Sequence, residues 1–373
     1  MKKLNRQLLD KNIQEVVDND FKSNNVFGAC YAVIQDGETI YKKYFGYAQL
    51  DKNPIDKNTL FRLASMTKPV TAIAILMLVD RGLLSLDDEI TKFIPEYKNV
   101  RITSLEDGKL VDLGESKNAI RVRHLLSHSS GVGSSCYKKD TLLTAENKQT
   151  ALSLAKFYAE KGLDYEPGTA QAYSGVGAFS VLGYIIEQVT GKSLQEFYNK
   201  EIFEPLEMFN TTFIPTKEQW KNVVAMHGRD GDKNIIVPMK ENCAFVDYPC
   251  SHCLAGAGLL STLDDYVKFS QMLLNKGKTP TKILLKEEIF SQMVTSQAPV
   301  DSTGAWGFGV SVAVEDTPLL SKGSFGWSGA YGSHFWVSPK ENIVAVYMKN
   351  TNTDPGSCKS SIEFESAVRN SFE

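Results

Sequence analysis

The chain has 373 residues, 42% of them hydrophobic, and its 41 basic against 44 acidic side chains leave a formal net charge of −3. That length holds one large or two interleaved domains with a substantial core. The slightly acidic balance, without charge blocks, excludes a nucleic-acid-binding face built on basic patches.

The first segment, "MKKLNRQLLDKNIQEVVDND", opens with lysines as an export signal does, but acidic and amide residues follow where an apolar region belongs, so it predicts an amphipathic helix. A cytoplasmic location is therefore expected. Residues 28–46 alternate apolar and polar around Asp36-Gly37, which predicts a hairpin. The apolar run Val70 to Val79 is too short to span a bilayer. Helical patterns dominate the middle, as in "TALSLAKFYAEKG" and "GAFSVLGYIIEQVTGKSLQEFYNKEIF", and continue in "TLDDYVKFSQMLLNKG". Residues 326–350 carry two further strand-like runs separated by "SPKEN", and "SIEFESAVRNSF" closes the chain as a helix.

This order predicts an α/β protein (multi-domain α+β) whose antiparallel sheet is built from both chain ends, flanked by helices and interrupted by a helical insertion. The expected division is a sheet domain of residues 1–66 and 255–373 and a mostly helical domain of 67–254, with the active site at their interface.

Six cysteines scattered through a long chain suit a reducing compartment better than a disulfide framework. Cys243, Cys250, His252 and Cys253 in "CAFVDYPCSHC" have zinc-ligand chemistry. Structural zinc sites usually show two separated ligand pairs, however, and only one CxxC is present. Loop and core cysteines are the expectation, with no metal and no other cofactor.

In "FRLASMTKPVTAIAILMLVDRG", residues 61–82, Ser65 and Lys68 stand three apart where a polar turn enters an apolar helix. Positions i and i+3 share a helix face, so the amine lies beside the hydroxyl, and Pro69 is tolerated in a first turn. A serine there also meets the positive end of the helix dipole, which favours an oxyanion. Taken alone, a capping serine and a solvated lysine account for the spacing better.

Further blocks in a fixed order change that balance. They include "GYAQLDKNPIDKNTLFRLASMTK" (46–68), "RVRHLLSHSSGVG" (121–133), "YEPGTAQAYSGVGAFSVLGYIIEQVTGKSLQEFY" (165–198), "AGAGLLSTLDDYVKFSQMLLNKG" (255–277) and "GWSGAYGSHFWVSP" (326–339). Together they resemble the serine β-lactamase-like superfamily of class C β-lactamases, DD-peptidases and family VIII carboxylesterases, over almost the whole chain. The resemblance implies the β-lactamase/transpeptidase-like fold, with Ser65 as the acylated nucleophile, Lys68 as its proton acceptor and Tyr173 as the group exchanging protons with nucleophile and leaving group. Lys68 is accordingly expected to be desolvated.

Two departures bear on substrate. Gly175 stands where the family's Tyr-x-Asn triplet has asparagine, which removes a polar anchor for the acyl side chain. Trp327-Ser328-Gly329 stands where lactamases and peptidases carry Lys-Thr-Gly, similar to the Trp-x-Gly of family VIII esterases, and replaces a carboxylate-binding cation by an indole. Ala330 would by the same resemblance share an oxyanion hole with the N–H of Ser65. Ser328 is a weak rival nucleophile, since "GWSGA" lacks the final glycine of a GxSxG elbow. His124 and His128 are expected to be structural, whereas His334 either lines the pocket or is structural.

The resulting expectation is a serine hydrolase working through an acyl-enzyme on Ser65, foremost a carboxylesterase for small acyl esters with weak β-lactamase activity. Its partner is a small acyl ester or amide, with no nucleic acid and no membrane span. A class C-like β-lactamase or D-amino peptidase is the alternative, and a non-hydrolytic sensor of the same fold is the alternative of another class.

Overall fold

In the computed structural model, the described residues are 2–23, 26–50, 52–133, 150–231, 233–236, 248–250, 252–297, 305–351 and 358–373. The hairpin at Asp36-Gly37 joins β1 (Gly28–Gln35) to β2 (Glu38–Gln49), with both turn residues at positive φ, 54° and 80°. Two such residues give a turn whose twist matches its strands. A short β3 (Lys52–Pro54) pairs with β2.

The main sheet has seven strands in the order β10-β11-β12-β13-β1-β2-β3, all antiparallel, where β10 is Ser311–Val312, β11 Phe325–Ser328, β12 His334–Ser338 and β13 Ile343–Lys349. Both chain ends therefore build it, as expected. One element differs: Trp327-Ser328 does not begin the run containing His334 but ends a strand of its own. Gly329 to Ser333 make the turn between them, closed by Gly329 N–H donating to Ser333 O at 2.7 Å.

Every residue of β1 is buried because the sheet is covered on both faces. Ala29, Tyr31 and Val33 pack with Leu9, Ile13 and Val17 of helix α1 (Arg6–Lys22) and with Phe364 of the C-terminal helix Cys358–Arg369. Cys30, Ala32 and Ile34 point the other way, into a core shared with the insertion. The centre of that core is α2 (Thr67–Asp80), buried from Thr67 through Leu78, as a helix apolar on all sides must be.

The insertion is not helical throughout. Beside the helices Ala151–Lys161 and Gly177–Thr190 it carries the hairpins β5 (Arg101–Glu106) with β6 (Lys109–Glu115) and β7 (His227–Asp230) with β8 (Lys233–Ile236). Strand β4 (Phe61–Arg62) pairs with β9 (Leu260–Ser261), so the segments entering and leaving the insertion meet immediately before Ser65. Among the described residues no helix is long and apolar enough to cross a membrane.

Candidate active site

The path into α2 decides where Ser65 sits. Arg62 and Asn350 exchange two hydrogen bonds, Arg62 N–H to Asn350 Oδ1 at 2.9 Å and Asn350 Nδ2 to Arg62 O at 3.1 Å, and Leu63 N–H donates to Leu259 O at 2.9 Å. The chain then turns through Ala64 at φ 44°, a left-handed conformation that costs a non-glycine residue about 1–2 kcal/mol. A 3₁₀ turn, Ala64–Met66, follows, and α2 begins at Thr67. Ser65 is thereby 8% exposed, at the wall of a cavity of about 790 Å³.

Lys68, in the first turn of α2, is fully buried. Its Nζ lies 3.2 Å from Ser65 Oγ, 2.8 Å from Gly175 O and 2.9 Å from Gly256 O, and 5.0 Å from the ring centre of Tyr173. Two carbonyls can only accept. A neutral amine would spend its two N–H groups on them and aim its lone pair at the Ser65 hydroxyl, and an ammonium would fill the same position with its third N–H. A Cβ on Gly256 would stand 3.0 Å from Phe179 Cβ and 3.5 Å from Lys68 Nζ, so the bare glycine lets this carbonyl approach.

Tyr173 Oη lies 2.5 Å from Ser65 Oγ. Its position is set on both sides by His128: Ala172 N–H donates to His128 O at 3.0 Å, and Ser174 N–H donates to His128 Nδ1 at 3.1 Å. An Nδ1 that accepts leaves the proton of a neutral ring on Nε2, which is buried without a hydrogen-bond partner among the described residues. Burial, and then the proximity of Lys68, hold the His128 imidazole well below its ordinary pKa. Its ring also stacks on Trp327, 5.7 Å between centroids and 9° between planes. His128 is thus part of the site's frame, whereas the motif alone suggested a histidine with all its bonds made.

The opposite wall is the end of β11. A Cβ on Gly329 would fall 2.4 Å from Leu63 O and 2.3 Å from Ser333 Oγ, so glycine is what allows this strand to abut the turn carrying Ser65. Ala330 lines the cavity beside it, and among the described residues neither its N–H nor that of Ser65 is taken by another acceptor. Trp327 and Ser328 line the same cavity, but Gly175 does not: its contribution is the carbonyl that receives Lys68.

His334 is in the cavity wall as well, and its connections were not foreseen. Ser328 and His334 face each other across β11 and β12, with Ser328 Oγ 2.8 Å from His334 Nδ1, and His334 Nε2 lies 2.9 Å from Glu365 Oε1 on the C-terminal helix. Glu365 and Trp306, a second indole in this wall, escaped the sequence reading. A carboxylate set between Phe364 and the buried Ala367 and Val368 was the available signal for Glu365.

Among the described residues no group of three or more His, Cys, Asp or Glu side chains is arranged to hold a metal. Cys243, one member of the cysteine cluster noted above, lies outside them.

A family model described as Beta-lactamase matches residues 9–362. The chain belongs to the beta-lactamase family. Within it, Protein Rv1367c of Mycobacterium tuberculosis (strain ATCC 25618 / H37Rv) is 30% identical over 359 residues, spanning 90% of this chain and 88% of that protein. Esterase EstB of Burkholderia gladioli is 28% identical over 373 residues, spanning 91% and 90%. Among solved structures, "EstCE1, a hydrolase with promiscuous acyltransferase activity", superposes with a TM-score of 0.78 at 25% identity over 98% of this chain and 99% of that one.

Proposed function

We propose that this member of the beta-lactamase family is a serine hydrolase that forms an acyl-enzyme on Ser65, and that its preferred substrates are small carboxylic esters. The observation that carries this reading is the Ser65 hydroxyl between Tyr173 Oη at 2.5 Å and the buried Lys68 Nζ at 3.2 Å, opening onto one cavity. The names of EstB and EstCE1 support the same reaction class.

Chemically, Lys68 in its neutral form takes the Ser65 proton while its N–H groups stay on Gly175 O and Gly256 O. The alkoxide attacks the ester carbonyl, and the oxyanion is received by the N–H groups of Ser65 and Ala330, each worth about 10²–10³ in rate. Tyr173 passes a proton to the departing alkoxide, and water then reverses the sequence to release the acid. With residues 1–66 and 255–373 as one domain and 67–254 as the other, the first brings Ser65 and Ala330, the second Lys68 and Tyr173. Ser65 and Lys68 lie one turn apart where the chain crosses between the two.

Among the described residues lining the cavity there is no lysine or arginine. Trp327 presents an indole where a cation would receive a substrate carboxylate, and Gly175 offers no side-chain amide. Both features favour uncharged esters over anionic β-lactams and cell-wall peptides.

The test is to offer wild type and Ser65→Ala a short-chain p-nitrophenyl ester and, separately, a chromogenic cephalosporin, with intact-protein mass spectrometry alongside. Rapid ester turnover and slow cephalosporin turnover, both lost in the variant, is the expected result. Fast cephalosporin turnover would transfer the chain to the β-lactamases, and a lasting adduct without turnover to ligand sensors. Unchanged activity in Ser65→Ala would overturn the mechanism.

A further inference from the structure

The chain of groups from Ser328 through His334 to Glu365 has no part in the steps above, yet it lines the cavity into which Ser65 opens. His334 and Glu365 are both buried. Glu365 makes a single hydrogen bond among the described residues, from His334 to its Oε1, and none of them is bonded to its Oε2. With His334 in the neutral tautomer that donates Nε2–H to Glu365, Nδ1 accepts the Ser328 hydroxyl, so the serine fixes the ring and the ring fixes the carboxylate. Glu365 is then a pre-oriented carboxyl group with one oxygen not bonded by any described residue, and no lysine or arginine shares the described lining.

One indole adjoins this group: Trp336, on the same face of the sheet as His334, lies 5.6 Å from its ring. Trp306 and Trp327, 6.0 Å apart at 68°, line the cavity on the Tyr173 side. Indole faces carry negative potential and attract cations, and aromatic walls with one carboxylate are the chemistry that receives alkylammonium groups. An anionic ligand would meet the same carboxylate with no cation to offset it.

We propose that this cavity selects acyl substrates carrying an ammonium group, which Glu365 Oε2 and the adjoining indole of Trp336 receive while the carbonyl lies at Ser65. This rests on the esterase reading for its catalytic half, but the binding half stands separately.

The test compares each cationic substrate with an uncharged carbon isostere. Butyrylcholine against 3,3-dimethylbutyl butyrate varies the alcohol side, and the p-nitrophenyl esters of 6-(trimethylammonio)hexanoic and 7,7-dimethyloctanoic acids vary the acyl side. Wild type is expected to prefer the cation in at least one pair by about tenfold in kcat/KM. Glu365→Gln, which keeps an acceptor for His334, is expected to bring that ratio close to one. Should this variant not fold, Trp336→Leu takes its place and must reduce the cationic substrate more than its isostere. Equal kcat/KM within both wild-type pairs, or a preference unchanged in the variant, overturns the proposal.

If no ester at all is turned over, the esterase reading fails, and tryptophan fluorescence titration decides the binding half. Choline is then expected to bind about tenfold more tightly than 3,3-dimethylbutan-1-ol in wild type and to lose that advantage in Glu365→Gln. Equal binding of the two rejects it.

Discussion

Two serines face one cavity, and each has a proton-accepting neighbour. Ser65 has the buried Lys68 and the hydroxyl of Tyr173, whereas Ser328 has His334 backed by Glu365, an arrangement that on paper looks more like a nucleophile's. The difference lies in the backbone. Ser65 follows the strained Ala64 and stands at the head of α2, where no described residue accepts its own N–H. Ser328 ends an antiparallel ladder, directly opposite His334, where the strand's shape serves sheet pairing. A hydrogen-bonded relay supplies a base, but a nucleophile also needs an oxyanion site beside it, and only the Ser65 corner adjoins two unused N–H groups in the proposed geometry.

That contrast can be broken most directly at the two proton-transfer partners of Ser65. Under the proposed mechanism, Tyr173→Phe and Lys68→Met each lower kcat/KM for a short ester by about 10²–10⁴. Gly329→Ala comes next, because its methyl would stand 2.4 Å from Leu63 O and force β11 away from the turn that carries Ser65. A loss of about 1–3 kcal/mol of stability is expected in denaturant titration, together with reduced turnover at temperatures where the variant is folded. Ser328→Ala is milder, since it only loosens His334: less than about tenfold in kcat/KM for a neutral ester. A loss from Ser328→Ala as deep as that from Tyr173→Phe would make Ser328 the nucleophile.

Local features were legible in the chain because their determinants are local. Asp36-Gly37 announces its hairpin, and the Ser65–Lys68 spacing places hydroxyl and amine on one helical turn. The same kind of signal exists at Asp107-Gly108, both at positive φ, 47° and 77°, flanked by alternating residues. Reading the insertion as helical passed over it. What stayed hidden depends on contacts between distant segments: His128 clamps the peptide groups around Tyr173 from 46 residues away in the case of Ser174, and Glu365 reaches His334 across 31. The break between β11 and β12 was local too: Gly329 and Gly332-Ser333 are turn residues, Gly332 at φ 94°, and reading 326–338 as one run passed over them.

The smallest expected effect concerns His128 and reads the frame rather than the chemistry. Its imidazole is held neutral in the folded protein, well below the ordinary value, by burial and then by Lys68. Above about pH 6.5 the ring is neutral in both folded and unfolded chains, and His128 adds no pH dependence. As pH falls below that value the unfolded chain takes up a proton that the folded one refuses. Stability therefore declines by up to roughly 1.4 kcal/mol per pH unit from this residue until its folded pKa is reached. His227, pushed down to about 4 by burial, acts with the same sign, so the test is a difference between variants and not the slope of wild type alone. Denaturant titrations between pH 7 and 5 are expected to show a shallower decline in His128→Gln than in wild type, and an independent, similar reduction in His227→Gln. An unchanged slope in His128→Gln would mean that the ring protonates inside the fold, against Lys68, and that Ser174 has lost the acceptor on which the position of Tyr173 depends.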